Sequence, residues 1–146
     1  MGYTHYYTIN GQGLAISRDI SYKQFTVYAE SIITAAEESG IQLADGHGEN
    51  QGEWELSNER VSLNGLGVDS HETFMVSRIG EVNSFNFCKT ARKPYDTVVT
   101  ALLIALHASY GDSVDISSDG GSADWVKGLE LFESATGLKG KIPATV

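Results

Sequence analysis

The sequence predicts an α+β fold: a single domain with a mainly antiparallel sheet of about five strands and three helices packed mostly on one face. Three observations predict it. Helical periodicity recurs in three separated blocks, at residues 21–39, 94–110 and 123–136. Short stretches of aromatic and β-branched residues cluster between the first two blocks. Strands and helices do not alternate regularly, as a parallel sheet with crossovers would require.

Residues 3–9, YTHYYTI, have the composition of a strand, with Tyr3, His5 and Tyr7 on one face and Thr4, Tyr6 and Thr8 on the other. A buried tyrosine needs a partner for its hydroxyl. These rings therefore either cover one side of a sheet or, with His5, line a pocket. Asn10-Gly11-Gln12-Gly13 reads as a turn, and its G-x-G lacks the rest of a dinucleotide-binding fingerprint. Over 21–39, Phe25, Tyr28, Ala29, Ile32, Ile33 and Ala36 form one apolar stripe, with Ser21 as N-cap and Gly40 as the stop. The stretch 45–60, DGHGENQGEWELSNER, reads as a mobile Gly-rich and acidic excursion with a short strand at 53–56. Asp45, His47 and Glu49 alternate within it, without the cysteine or second histidine that would make a metal site, and none is predicted.

Residues 60–66 and 71–79 read as strands near the turn dipeptide Asn64-Gly65. In the second, Phe74 and Val76 share a face opposite Met75 and Ser77. Gly80 begins a turn. Residues 83–88 form a further strand with Phe85 and Phe87 on one face and Asn86 and Cys88 on the other. The helix 94–110 is apolar nearly all round and should be buried on most sides. Residues 112–117 read as a strand. The last helix, 123–136, buries Trp125, Val126, Leu129, Phe132 and Ala135, Gly137 closes it, and the tail 138–146 is loose.

A chain of 146 residues can bury a core without staples. The net charge of −9 argues against general binding to nucleic-acid backbones, which requires a basic face. The single cysteine, Cys88, excludes an intramolecular disulfide and fits a reducing compartment. The opening lacks the basic start and apolar run of a signal peptide. The longest apolar run falls short of the roughly 20 residues of a membrane span. A cytoplasmic protein without membrane association is expected, and no cofactor is implied.

The place to seek a site is the junction from Phe85 to Pro94. Lys89, Arg92 and Lys93 are three of only ten basic residues and precede a helix start. Cations there oppose the helix dipole by roughly 0.3–1 kcal/mol each. They make sense beside an anion, either a bound phosphate or carboxylate or the protein's own acids, of which Asp96 is nearest in sequence. Cys88, before this loop, reads as a small buried hydrophobe in preference to a reactive thiol.

The stretches Gly2-Tyr3-Thr4-His5-Tyr6-Tyr7, Phe87 to Asp96 (FCKTARKPYD), and Ser117-Ser118-Asp119-Gly120 to Trp125 resemble a family of small bacteriophage, prophage and bacterial proteins that open with a GYTHYW-like motif. Tyr7 stands where that family usually has Trp. The resemblance implies a phage setting in the host cytoplasm and no particular activity. The expected function is binding of a small anionic, nucleotide-like ligand, countering host defence. Its expected contacts are Tyr3, His5, Tyr7, Lys89, Thr90, Arg92, Lys93, Tyr95 and Asp119. One competing reading is an inhibitor that binds a host defence protein through an acidic surface. Another is a phosphodiesterase with His5 and His71 as acid and base. His71-Glu72-Thr73 has the H-x-T form of two-histidine phosphoesterases, whereas His5 begins H-x-x-T. A strand at 3–9 on a sheet edge could also pair with a second copy of the chain.

Overall fold

The aromatic opening strand lies at the middle of the sheet that carries the candidate site. In chain order the elements are β1 (Thr4–Ile9), α1 (Ala15–Glu38), β2 (Leu43–Ala44), β3 (Glu55–Leu56), β4 (Arg60–Gly65), β5 (Phe74–Ser77), β6 (Ser84–Lys89), α2 (Asp96–Tyr110), β7 (Val114–Ser118) and α3 (Val126–Thr136). The structure is a computed structural model and describes residues 2–10, 15–78 and 84–146, with side chains except at 15, 16 and 84. The expected turn at 10–13, but for Asn10, and the one at Gly80 lie outside the described residues.

The protein is a single small α+β domain with three helices, but its strands divide into two antiparallel sheets. One has the order β6-β1-β7. The other is built on β4, which pairs with β2, β3 and β5. The local meander ends at β5, because β6 leaves its sequence neighbour and pairs with β1, some eighty residues away. Glu72 joins the two sheets: its N–H donates to the Lys89 carbonyl (3.1 Å), and its carboxylate accepts the Lys89 N–H (2.7 Å). β1 is flanked on both sides, so it offers no edge to a second copy.

Alternation along the strands sorts side chains into two sets. On the inner face, Cys88, His5 and Ser118 stand in one row, and Asn86, Tyr7 and Ile116 in the next. On the outer face, Lys89 stands beside Thr4, Phe87 beside Tyr6 and Ser117, and Phe85 beside Thr8 and Asp115. Inner faces of both sheets and all three helices share one hydrophobic cluster. α2 fills its centre, with every residue from Val98 to Leu106 buried. That agrees with its unbroken apolar sequence.

Two boundaries differ from expectation. α1 starts at Ala15, not at a Ser21 cap. Its first turns leave Ile20 63% exposed, so no apolar stripe marks them in the sequence. α2 starts at Asp96, two residues beyond Pro94, because a turn closed by Asp96 N–H to the Lys93 carbonyl (2.8 Å) precedes it. The stretch 45–60 is organised by Asp45, whose carboxylate accepts the Glu49 and Asn50 N–H groups at 2.9 and 3.0 Å. Those bonds lower its pKa. Trp54 anchors the stretch by donating to Glu37 (3.1 Å). The tail folds back, with Gly140 N–H on the Glu133 carboxylate and the Thr145 hydroxyl on the Ile116 carbonyl.

Candidate functional site

The three stretches singled out in the sequence meet at the end of the β6-β1-β7 sheet, where the loop 90–95 enters α2. Beneath the surface lies a chain of side chains centred on His5, which is wholly buried. Its Nδ1 is 2.8 Å from the Ser118 hydroxyl and its Nε2 is 2.7 Å from Asp96 Oδ1. The same Asp96 oxygen accepts the Thr90 hydroxyl at 2.6 Å. Ser118 Oγ accepts the Gly120 N–H (3.0 Å) and the Trp125 indole N–H (3.3 Å). Tyr3 and Trp125 close on the imidazole edge-on, at centroid distances of 5.0 and 5.3 Å.

Counting donors and acceptors assigns the protons. A serine oxygen has two acceptor positions and one donor. With Gly120 and Trp125 occupying both acceptor positions, the Ser118 O–H must donate to His5 Nδ1. The His5 Nε2–H then donates to Asp96. The connectivity Ser–His–Asp is that of a hydrolase relay with the two ring nitrogens exchanged. A nucleophile, however, needs a free lone pair on Oγ, and both are engaged, while the imidazole is sealed. The chain acts as a brace that ties β1, β7, α2 and the loop before α3 together.

Above the brace the loop is strained. Ala91 and Arg92 both have positive φ, 52° and 59°. L-residues pay roughly 1–2 kcal/mol for that conformation. The Tyr3 carbonyl holds the loop by accepting from Thr90 N–H (3.0 Å) and Ala91 N–H (3.3 Å). The result is that the Arg92 guanidinium lies over the Tyr3 ring, its Cζ 4.0 Å from the centroid. Arg92 also reaches Asp124 at 3.2 Å. The Gly121 N–H, with Arg92 next, holds the Asp124 carboxyl below the usual carboxylate range.

Two open clefts flank Arg92. The larger, about 710 Å³, is lined by Gly2, Tyr3, Thr4, Lys89, Ala91, Arg92 and Asp119. Lys89 lies across Gly2: a Cβ there would sit 2.4 Å from its Cε and displace the end of the lysine side chain. Asp119 lines the same cleft without an ion pair to Lys89: one carboxylate oxygen accepts the Thr4 N–H (3.1 Å) and the other the Tyr6 hydroxyl (3.0 Å). The smaller cleft, about 360 Å³, lies at the start of α2 between Lys93, Asp96, Asp124 and Lys127. Among the described residues, Lys89, Lys93 and Lys127 form no ion pair.

The residues expected at the site therefore divide. Tyr3, Lys89, Arg92 and Asp119 line the larger cleft, and Lys93 the smaller. His5 and Thr90 lie below in the brace. Tyr7 and Tyr95 belong to the core and offer no ring to a ligand: Tyr7 donates to the Met75 carbonyl (2.6 Å) and Tyr95 to the Glu72 carbonyl (2.7 Å). Asp96, nearest in sequence to the basic cluster, turns to His5 and Thr90 and not to the cations. His71 is exposed on a loop fixed by Asn64, and no contact with His5 joins it to this site. The sequence reading missed Ser118 and Trp125 as partners of His5, and their only signal was membership of the third motif stretch. Cys88 is buried at the end of β6, and burial pushes its thiol up to about 12. Comparison with protein-family models, with curated proteins and with solved structures finds no match. Among the described residues no helix is long and apolar enough to cross a membrane.

Proposed function

We propose that this protein binds a small phosphate-bearing ligand in the cleft between Lys89 and Arg92. One observation carries the reading: an ammonium and a guanidinium border a single open cleft with one acid in its lining, Asp119, which forms an ion pair with neither. Charge-assisted bonds from both cations to phosphate oxygens would hold it. The strained loop supports the same reading, because strain of this kind collects where a side chain must be held in place. Arg92 is held beforehand by Tyr3 and Asp124, so little ordering cost remains for binding. The sealed brace offers no accessible nucleophile, which favours capture over turnover. In the phage setting that the sequence resemblance implies, such a protein would sequester a host signalling compound.

The test is a thermal-shift titration with inorganic phosphate, pyrophosphate and AMP. A ligand at about 100 times its Kd adds roughly 2.7 kcal/mol, a rise of several degrees for a domain of this size. Lys89→Ala and Arg92→Ala should each abolish most of the rise while the far-ultraviolet circular dichroism is unchanged. AMP recovered after denaturation should be intact. No shift with any of the three at millimolar concentration rejects the reading.

A further inference from the structure

The outer face of the β6-β1-β7 sheet carries a row of aromatic rings that the cleft does not use. Phe85 is 62% and Phe87 54% exposed, while Cys88 of the same strand is sealed inside. Tyr6 stacks on Phe85, with centroids 5.9 Å apart and planes at 24°. Phe85 and Phe87 follow at 6.1 Å and 35°. The Tyr6 hydroxyl is fixed by Asp119 at 3.0 Å, which sets the ring before anything binds. Exposed phenylalanines at adjoining positions, turned away from an available core, are the unusual part of this strand.

Charge indicates the occupant. On this face Lys89 is the next residue after Phe87, one strand repeat of about 7 Å further on. Lys89 and Arg92 therefore lie at one end of the aromatic row. The acids Asp115 and Asp119 lie along the β7 side. A ligand with an anion at one end and a flat ring at the other fits only one way, with its anion at Lys89 and Arg92 and its ring over β6. We infer that Phe87 and Phe85, steadied by Tyr6, form a stacking platform for the base of a nucleotide whose phosphate occupies the Lys89–Arg92 cleft. The platform rests on the phosphate reading and adds the chemical class of the ligand. The flanking acids and the net charge of −9 restrict it to a mononucleotide-sized ligand in preference to a nucleic-acid strand.

Calorimetric titration of the full chain with AMP, GMP, ribose 5-phosphate and inorganic phosphate separates the two claims. AMP or GMP should bind at least about fivefold more tightly than ribose 5-phosphate, the lower end of base–aromatic stacking. Phe87→Ala should remove that advantage and leave ribose 5-phosphate unchanged, and Phe87→Tyr should restore it. Equal affinity for AMP, GMP and ribose 5-phosphate, or indifference to Phe87→Ala, overturns the platform and leaves the phosphate site standing. No binding by any of the four overturns both. A wild-type dimer in sedimentation that Phe87→Ala splits assigns the rings to a second copy and also overturns the platform.

Discussion

The two faces of the β6-β1-β7 sheet are built from the same three strands and share almost no chemistry. On the inner face, His5 and Ser118 are joined to Asp96, Thr90 and Trp125, Cys88 beside them donates to the Glu72 carbonyl, and the histidine and cysteine are fully sealed. On the outer face, one residue along each strand, Lys89 forms no ion pair among the described residues and the Phe87 ring stands in solvent. A motif such as GYTHYY thus does two jobs by parity. Tyr3 and His5 turn inward to the brace, while Tyr6 turns outward to the ring platform. The comparison teaches that chemically interesting residue types identify a site less well than unsatisfied ones. The histidine is the most reactive side chain in the region, yet it has nothing left to offer a ligand.

Breaking the brace should have the largest effect. His5→Ala removes a fully buried ring and strands Asp96 and Ser118, for a loss of about 3–5 kcal/mol. Urea denaturation measures it. Phe87→Ala on the outer face should stay within about 0.5 kcal/mol of the wild type. If His5→Ala cost less than about 1 kcal/mol, the inner row would not be a brace, and a functional role for the imidazole would return.

Alkaline pH sharpens the same contrast. Burial raises the Cys88 thiol from an ordinary 9.0 to about 12. Burial, then the charges of Asp96 and Asp124, raises the Tyr3 hydroxyl from 10.0 to about 12. Both are acids whose folded pKa lies above the unfolded one. The folded state therefore binds their protons more tightly, and this stability is complete below about pH 9. It should be lost progressively as pH rises towards 12, visible as a falling urea midpoint. Cys88→Ala should reduce the pH dependence. At pH 8 the native thiol should resist alkylation by iodoacetamide, and rapid labelling under native conditions would contradict this account of the inner face.

How much of this was legible in the sequence depended on range. The three helices were legible because Phe25, Ala29 and Ile32, or Val98 through Leu106, state their burial locally. The parity of Tyr3, His5 and Tyr7 was legible for the same reason. The division into two sheets was not, since the pairing of His5 with Cys88 and with Ser118 is a long-range choice that no local pattern records. The basic loop marked the right region. It could not show that Asp96 turns away from the cations, nor that Tyr95 faces the core. The split of β6 into Phe85 and Phe87 against Asn86 and Cys88 was legible by alternation, but that the phenylalanines take the exposed face was not, because aromatic residues in a strand usually signal its buried face.

A smaller effect than breaking the brace concerns the loop that connects the two faces. Ala91 and Arg92 adopt left-handed backbone angles in succession, which holds Arg92 over Tyr3 and at the mouth of the cleft. Ala91→Gly relieves the first of these at the cost of a more flexible unfolded chain. The expected net gain is about 0.5–1 kcal/mol of stability. The same change loosens the loop that presents Arg92, so phosphate affinity should fall while stability rises. Opposite movement of the two quantities is the diagnostic outcome. A loss of stability on Ala91→Gly would show that the loop backbone is relaxed, and that Arg92 is held by its contacts with Tyr3 and Asp124 alone.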